Sequence, residues 1–255
     1  MLQADFTIQR KDKLNATTYA FTVDCPKLAK ESWCGRFVHI RCGEKPLRRP
    51  ISICEIDKEN GTLTLVFEVR GEGTEWLASR NEGDVINILG PLGNGFFPDP
   101  EKPAIFVGGG IGCPPMLGAA QDYGENAEAI LGFRSEAQVI LLDKFESACR
   151  RVAVTTDDGS FGTKGFVTDI LKERLEALPD AVVYACGPMP MLKNVAALCK
   201  AKNVQCYVSL EQRMGCGVGA CLVCACKTHD ADGEHMRHVC KNGPVFDARE
   251  VDFNG

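Results

Sequence analysis

The sequence lacks several features that mark common classes of protein. It has no apolar run of the ~18 residues that a membrane-spanning helix needs, so we expect no membrane insertion. The first residues, "MLQADFTIQRKDK", have no apolar signal-peptide core, so we expect a cytoplasmic protein. A net charge of −5 provides little of the positive charge that phosphate binding requires. We therefore expect neither a membrane nor a nucleic acid as partner.

Internal repeats, low-complexity tracts and long linkers are also missing from the sequence. The 255 residues, 45% hydrophobic and 25% charged, are typical of a soluble globular protein. This length is sufficient for one large domain or for two compact domains with separate cores.

The first part of the chain, residues 1–98, has the pattern of an antiparallel β-barrel. Short runs of β-branched and aromatic residues alternate with glycine, proline or charged turns, and no long helical stretch separates them. The six predicted strands lie in "DFTIQRKDKL", "TYAFTVDC", "GRFVHIRC", "RPISICEID", "GTLTLVFEVRG" and "DVINILGPLG". A short helix is predicted at "TEWLASR", with Thr74 as its N-cap.

The pattern changes at Pro103, and residues 99–209 are predicted to form an α/β domain. Compact apolar runs such as "AIFVGG" and "AVVYACG" alternate with helical stretches, as in a doubly wound parallel sheet. Residues 210–255 follow as a small cysteine-rich lobe with little helical periodicity. The predicted fold class is thus a β-barrel plus an α/β domain, with a C-terminal metal-binding lobe.

Fourteen cysteines are present, and four of them fall within "CGVGACLVCAC". We expect most of the others to be small buried hydrophobic residues, since a cytoplasmic chain keeps its thiols reduced. Cys216, Cys221 and Cys224 form the pattern C-x4-C-x2-C, and Cys240 follows after fifteen residues. This is the spacing of a plant-type [2Fe–2S] site, with glycines that let the loop approach the sulfides closely.

Two other uses of these thiols remain open on the residues alone. A zinc site usually takes two C-x2-C pairs, and this segment contains one. A thioredoxin-like C-x-x-C opens a helix, whereas this pair follows a glycine loop. The spacing favours the iron–sulfur cluster, with Cys226 as a spare thiol.

Two glycine-containing turns in the α/β segment predict a dinucleotide site. Each follows an apolar strand and opens a helix, so both belong at the carboxyl edge of the sheet, where ligands bind. The candidate residues are Gly108, Gly109, Gly110, Gly112 and Pro114 of the first turn, and Cys186, Gly187, Pro188 and Met189 of the second. Residues 155–165 form a third loop on that edge. Alone, the first glycine turn could also be a tight βα connection, as found in any α/β protein.

The barrel segment contains two weaker candidates for cofactor binding. One candidate is a strand segment that carries an arginine and a serine, namely Arg49, Pro50, Ile51 and Ser52. These two side chains could hold a pyrophosphate while the strand borders a flat ring. Gly73 and Thr74 open the short helix, which suggests a second phosphate contact. Alone, the Arg-Pro pair could simply protect a strand edge.

Taken together, "RPIS", "GEGT", "GGGIG", "CGPMP" and "SLEQRMGCGVGACLVCACK" resemble the electron transfer subunits of dihydroorotate dehydrogenase B. This family belongs to the ferredoxin–NADP reductase superfamily, and the resemblance covers essentially the whole chain. It implies cluster ligands at Cys216, Cys221, Cys224 and Cys240, and an NAD site at the two glycine turns.

The resemblance also implies FAD binding in the barrel. The matched residues are Arg49, Pro50, Ile51, Ser52, Val66, Phe67, Glu68, Gly73 and Thr74. The family often has Tyr-Arg where this chain has Phe67 and Glu68, so a basic side chain is missing from that strand. No acid or base catalyst is expected, because hydride transfer depends on alignment. Cys186 and Glu211 either border the nicotinamide or are structural residues at strand ends.

The implied function is NAD-linked electron transfer. By resemblance, the partner is an FMN-containing catalytic subunit that oxidises dihydroorotate to orotate in pyrimidine biosynthesis, in a heterotetramer with two copies of each chain. One alternative is a related flavin subunit of a ferredoxin:NADP or sulfide/polysulfide oxidoreductase, and another is a non-enzymatic zinc-binding adaptor. The choice between NAD and NADP stays open, with Arg134 and Ser135 near the position of a 2′-phosphate.

Overall fold

The computed structural model describes residues 1–253, which begin with a closed six-stranded antiparallel barrel. The strands are β1 (Leu2–Lys13), β2 (Thr18–Asp24), β3 (Phe37–Ile40), β4 (Arg49–Asp57), β5 (Thr62–Glu68) and β6 (Val85–Leu92). Around the barrel their order is β1-β2-β5-β4-β3-β6. Every one of the six runs predicted from the sequence overlaps one of these strands, so the predicted barrel is confirmed.

Two short helices accompany the barrel. Helix α1 (Pro26–Glu31) buries Leu28 and Ala29 against the barrel core, and no sequence pattern predicted it. Helix α2 (Glu72–Ala78) lies where a helix was predicted, but Thr74 as its N-cap is wrong. Gly71 is the N-cap, and Thr74 is the third residue of the helix, where its hydroxyl accepts the Gly71 N–H at 3.3 Å.

The second part of the chain is the predicted α/β domain, a seven-stranded sheet with helices. The remaining strands are β7 (Ala104–Gly109), β8 (Ala127–Phe133), β9 (Arg151–Thr156), β10 (Thr163–Lys164), β11 (Val182–Cys186), β12 (Cys206–Ser209), β13 (Ala225–Asp230), β14 (Gly233–His238) and β15 (Val245–Asp247). The helices are α3 (Cys113–Tyr123), α4 (Leu142–Ala148), α5 (Val167–Ala177) and α6 (Met189–Ala201). The sheet order is β10-β9-β8-β7-β11-β12-β15, and all neighbours are parallel except β12 and β15.

Helix α3 connects the two parts, because it packs against strand β4 of the barrel. Gly118 makes this contact close: a Cβ atom at this position would come within 2.4 Å of the carbonyl oxygen of Cys54. Helix α3 begins just after the first glycine turn, and β4 begins with Arg49. Their contact therefore fixes the distance between two of the predicted binding motifs.

The C-terminal part of the chain contacts both the sheet and the barrel. Strand β15 pairs with β12 at the edge of the sheet, and β13 and β14 form a separate hairpin. On the barrel side, the backbone N–H of Asn94 donates to the carbonyl oxygen of Gly243 at 2.6 Å. The side-chain amide of Asn94 donates to the carbonyls of Lys241 and Asn242. These bonds hold the segment that follows Cys240 against the barrel.

Nine of the ten cysteines outside the predicted cluster are buried, as expected for most of them. The nine buried thiols are those of Cys25, Cys34, Cys42, Cys54, Cys113, Cys149, Cys186, Cys199 and Cys206. Cys226 is half-buried on β13.

Within residues 1–253, no helix combines the length and apolarity needed to cross a bilayer.

A buried carboxylate on β8 provides a test of the sheet packing. Glu128 accepts hydrogen bonds from Arg174 at 2.7 and 3.0 Å and from the more exposed Arg150 at 3.1 Å. Replacing Glu128 with Ala leaves the half-buried Arg174 guanidinium without this partner, so we expect a loss of about 3 kcal/mol in the free energy of unfolding. Urea unfolding measures this loss.

Arg150→Ala is the control for Glu128→Ala. Because the Arg150 side chain is 40% exposed, its ion pair is expected to contribute less than about 1 kcal/mol. Equal losses in the two variants would show that the buried pair with Arg174 is not the stabilising contact.

Candidate functional site

A cavity of about 790 Å³ lies where the barrel faces the α/β domain, and we call it the barrel cavity. Strands β4 and β5 form one wall, and residues 209–214, from the last residue of β12 onward, form another. The predicted residues that line it are Arg49, Pro50, Ile51, Ser52, Val66, Phe67, Glu68, Thr74 and Cys186. Its volume and mixed apolar and charged walls are those of a cofactor site.

A second cavity, of about 660 Å³, lies at the carboxyl edge of the parallel sheet, and we call it the sheet-edge cavity. The predicted residues that line it are Gly109, Gly110, Gly112, Gly187 and Pro188, together with Glu68 from the barrel. Thr155, Asp157 and Gly165 also line it, so the third predicted loop does reach this edge. Arg134 lines the cavity as well, whereas Ser135 is not among its walls.

Four predicted residues line neither cavity: Gly73, Gly108, Pro114 and Met189. Gly73 instead lies under the Arg49 side chain, where a Cβ atom would come within 2.5 Å of the guanidinium Nε. Pro114 is buried in the first turn of α3, and Met189 packs against the α/β core. These residues support the walls, and any direct contact with a ligand stays a prediction.

The glycine turns meet closely at the sheet edge. A Cβ atom on Gly112 would come within 2.3 Å of the carbonyl oxygen of Cys186, at the end of β11. Only glycine therefore lets the two predicted turns approach one another. The result is a narrow cradle lined by backbone, which suits a pyrophosphate.

The two cavities form one continuous cleft, since Glu68, Arg70, Ile111 and Glu211 line both of them. Arg70 donates to Glu68 at 2.6 Å, two residues along the chain. The pKa of the Glu211 carboxyl is raised, mainly because the surrounding protein shields it from water. The Arg70 charge partly offsets this rise, and the Glu68 charge adds to it. Arg70 was missed by sequence reasoning, although its position two residues after Glu68, on the same side of the chain, could have indicated it.

Cys186 lies at the end of β11 and faces the barrel cavity, close to this junction. Burial raises the pKa of its thiol well above the ordinary value, with a further increase from the Glu211 charge, while the Ser209 hydroxyl lowers it. Cys186 is therefore a neutral thiol. It can shape the cavity wall but cannot act as a thiolate nucleophile.

The cysteine loop, residues 215–224, wraps around its own thiols. The sulfur of Cys216 accepts backbone N–H groups from Val218 at 3.4 Å, Ala220 at 3.2 Å and Cys221 at 3.4 Å. Desolvation opposes ionisation of Cys216, but these N–H groups outweigh it and lower its pKa to about 6. The loop thus favours a thiolate at Cys216, the form that binds iron.

Cys240 brings the fourth thiol to this loop. Its sulfur accepts the Gly219 N–H at 3.1 Å, and the Cys224 thiol is its neighbour. Burial, followed by the Cys224 thiol, raises the pKa of Cys240 to about 12, so metal binding must release that proton. Cys216 is similarly paired with Cys221.

This pairwise arrangement fits a two-iron cluster. In residues 1–253, no three Cys, His, Asp or Glu side chains gather closely enough to hold a single metal ion. Two neighbouring thiol pairs, surrounded by backbone N–H donors, are the ligand set that a [2Fe–2S] cluster requires.

Comparisons with known proteins agree with this geometry. Residues 211–252 match the model of the iron–sulfur cluster binding domain of dihydroorotate dehydrogenase B, and residues 106–197 match the oxidoreductase NAD-binding domain. The electron transfer subunit of dihydroorotate dehydrogenase B (NAD(+)) from Geobacillus kaustophilus is 39% identical over 254 residues, covering 96% of each chain. The corresponding subunit from Bacillus caldolyticus is 40% identical over 255 residues, again covering 96% of each chain.

Solved structures show the same fold. A structure of an NADH-dependent reduced ferredoxin–NADP oxidoreductase superimposes with a TM-score of 0.87 at 32% identity, covering 98% of this chain and 91% of that chain. Ferredoxin–NADP+ reductase from Plasmodium falciparum superimposes with a TM-score of 0.64 at 15% identity, covering 78% of this chain and 91% of that chain, which shows a shared fold only.

The fold and the site define an NAD-linked iron–sulfur flavoprotein, an oxidoreductase that takes FAD, NAD and a [2Fe–2S] cluster. The chain belongs to the family of dihydroorotate dehydrogenase B electron transfer subunits. The family predicted from the sequence is thereby confirmed.

The contact between the glycine turns generates a prediction. Gly112→Ala forces the first turn away from Cys186, because the new methyl group would come within 2.3 Å of its carbonyl oxygen. We expect the KM for NADH to rise at least about tenfold with an artificial acceptor, since small displacements at a binding cradle have large effects. FAD content should stay unchanged.

Gln121→Ala, near the other end of α3, is the control. The Gln121 side chain is exposed and lines neither cavity. An unchanged KM in Gly112→Ala, or an equal increase in Gln121→Ala, would contradict the role assigned to the Gly112 turn.

Proposed function

We propose that this chain passes electrons between NAD and an FMN-containing catalytic subunit that oxidises dihydroorotate to orotate in pyrimidine biosynthesis. The two subunits would form a cytoplasmic heterotetramer with two copies of each chain. The observation that carries this proposal is the continuous cleft between barrel and sheet, beside the four paired thiols. The names of the curated relatives supply the dihydroorotate chemistry.

Each cofactor corresponds to one part of the chain in this proposal. FAD binds in the barrel cavity mainly through residues 1–98, NAD in the sheet-edge cavity mainly through residues 99–209, and the cluster in the lobe of residues 210–255. When bound, NAD exchanges a hydride, FAD holds two electrons and releases them singly, and the cluster carries one. Cys216 with Cys221 would hold one iron, and Cys224 with Cys240 the other.

The protein's own contribution is alignment. Residues Arg49–Asp57 of β4 provide the barrel wall, and the contact of α3 with β4 sets its distance from the glycine turns. The Glu211 carboxyl stands at the junction and the neutral Cys186 thiol close to it, where they would border the nicotinamide. This arrangement needs no acid or base catalyst, because close placement of the two rings is the main requirement.

The cysteine loop also offers a surface for the partner subunit. Leu222 is 77% exposed and Val223 is 57% exposed, with Val218 nearby. Apolar side chains exposed beside a redox centre are typical of a docking surface. We therefore place the partner subunit against this loop.

A related function has one supporting observation. The oxidoreductase of the 0.87 superposition is described as reacting with reduced ferredoxin and NADP. If this chain had that role, reduced ferredoxin would supply electrons to it without a dihydroorotate-oxidising subunit. All four candidate cluster ligands here are cysteines, whereas such relatives can include an aspartate.

The isolated chain provides the main test of the proposed function. We expect it to oxidise NADH with an artificial acceptor such as ferricyanide and to show no activity on dihydroorotate, because FMN chemistry belongs to the partner. Adding the FMN-containing subunit should give dihydroorotate-dependent reduction of NAD. Turnover of dihydroorotate by the isolated chain would contradict the proposal, and efficient reduction by ferredoxin alone would favour the related function.

Arg70 generates a second prediction. We propose that it supplies the basic contact to bound FAD that is missing at Glu68, because its guanidinium lies at the junction and pairs with that carboxylate. Arg70→Gln should weaken FAD binding about tenfold, because losing one hydrogen bond to a charged group usually lowers affinity by about that much. Titration of FAD into protein freed of flavin measures this change.

Arg10 offers a matched control for Arg70. It pairs with Asp12, also two residues along the chain, on a strand that lines neither cavity. Arg10→Gln should leave FAD affinity unchanged, and the exchange of charges in Glu68→Arg with Arg70→Glu should restore most of the affinity. FAD binding by Arg70→Gln as tight as that of Arg10→Gln would show that Arg70 makes no contact with the flavin.

A further inference from the structure

His39 lies on β3 with 0% of its surface exposed. Neither of its ring nitrogens has a hydrogen-bond partner within the described residues. A buried polar side chain without a partner is costly, and such a group commonly serves a ligand that the protein alone does not show. The position of His39 therefore needs an explanation.

The His39 ring faces away from the barrel core. Val38 and Ile40 on either side of it pack inside the barrel, so the alternation of β3 turns Phe37 and His39 to the opposite face. Phe37 lines the barrel cavity. His39 is consequently on the side where the cavity and the cysteine loop meet.

The cysteine loop covers the His39 ring. At Gly217, where φ is +73°, a Cβ atom would come within 2.6 Å of the ring Nδ1. The backbone of His39 lies opposite Pro50 in the β3–β4 ladder, next to Arg49 and Ile51. The ring thus stands between the strand of the proposed flavin site and the loop that contains Cys216.

Neither of the two arginines beside His39 forms a hydrogen bond with its ring nitrogens. Arg48 donates to the backbone carbonyl of His39 at 3.2 Å rather than to the ring, and Arg49 donates to the carbonyls of Leu47 and Arg48. The backbone carbonyls of Arg48 and Cys216 also lie near the ring, but neither forms a hydrogen bond with its nitrogens. A neutral imidazole has one N–H to donate.

We propose that His39 is a positioning residue that donates its imidazole N–H to the bound cluster at the Cys216 corner. This inference rests on the proposed cluster site. The bond would stabilise the reduced, more negative state of the cluster and hold the cysteine loop against the flavin strand. His39 would thereby set the reduction potential of the cluster as well as its distance from FAD.

The experiment compares His39→Leu with His39→Gln in the full chain loaded with FAD and cluster. Leucine removes the donor, so the one-electron equilibrium should shift about fivefold toward the oxidised cluster, or about 40 mV. Glutamine keeps an N–H donor and should restore most of the potential. The readouts are redox titration and the paramagnetic resonance of the reduced cluster.

Ile40→Val is the matched control, because Ile40 is a buried neighbour on β3 that faces the barrel core. It should leave the potential unchanged. Loss of the cluster from His39→Leu but not from His39→Gln would also support the proposal. An unchanged potential in His39→Leu, equal shifts in both His39 variants, or loss of the cluster from both would overturn it.

The wild-type protein separates this inference from the proposed function. If it contains FAD and the cluster and oxidises NADH, the function stands whatever the His39 variants show. If the wild-type protein contains no cluster, both the proposed function and the role of His39 are overturned.

Discussion

The close contact of helix α3 with strand β4 is the constraint on which the site depends. Gly118 lets the helix approach the Cys54 carbonyl, and the helix begins at one binding motif while the strand begins at another. A larger residue at 118 would separate the barrel from the sheet edge. The continuous cleft exists because these two motifs are held at a fixed distance, and alignment of two flat cofactors is the chemistry that the site offers.

The C-terminal part extends the same principle to the third redox centre. Asn94 binds the segment after Cys240 to the barrel, and β15 joins that segment to the edge of the sheet. The cysteine loop is thus fixed relative to both cavities. A centre that exchanges single electrons with a flavin gains from such rigidity, since its distance and hydrogen bonds determine its rate and potential.

Local patterns in the sequence predicted most of the fold and much of the site. All six barrel strands, the alternation of the α/β domain and the spacing of the cysteines are short-range signals, so they could be read directly. The role proposed for His39 depends on a strand and a loop that are distant in sequence, and no local pattern reveals such a contact. Thr74 was misplaced as an N-cap because Gly71, which has no capping side chain, takes that position.

The most direct test of the central claim is paramagnetic resonance of the protein purified without oxygen and reduced with dithionite. Four thiolates arranged in two pairs should hold about two irons per chain, and the reduced cluster should give a rhombic signal. Cys240→Ser, which alters one ligand, should change or abolish that signal. Protein that contains zinc without iron, or that gives no such signal when reduced, would contradict the account.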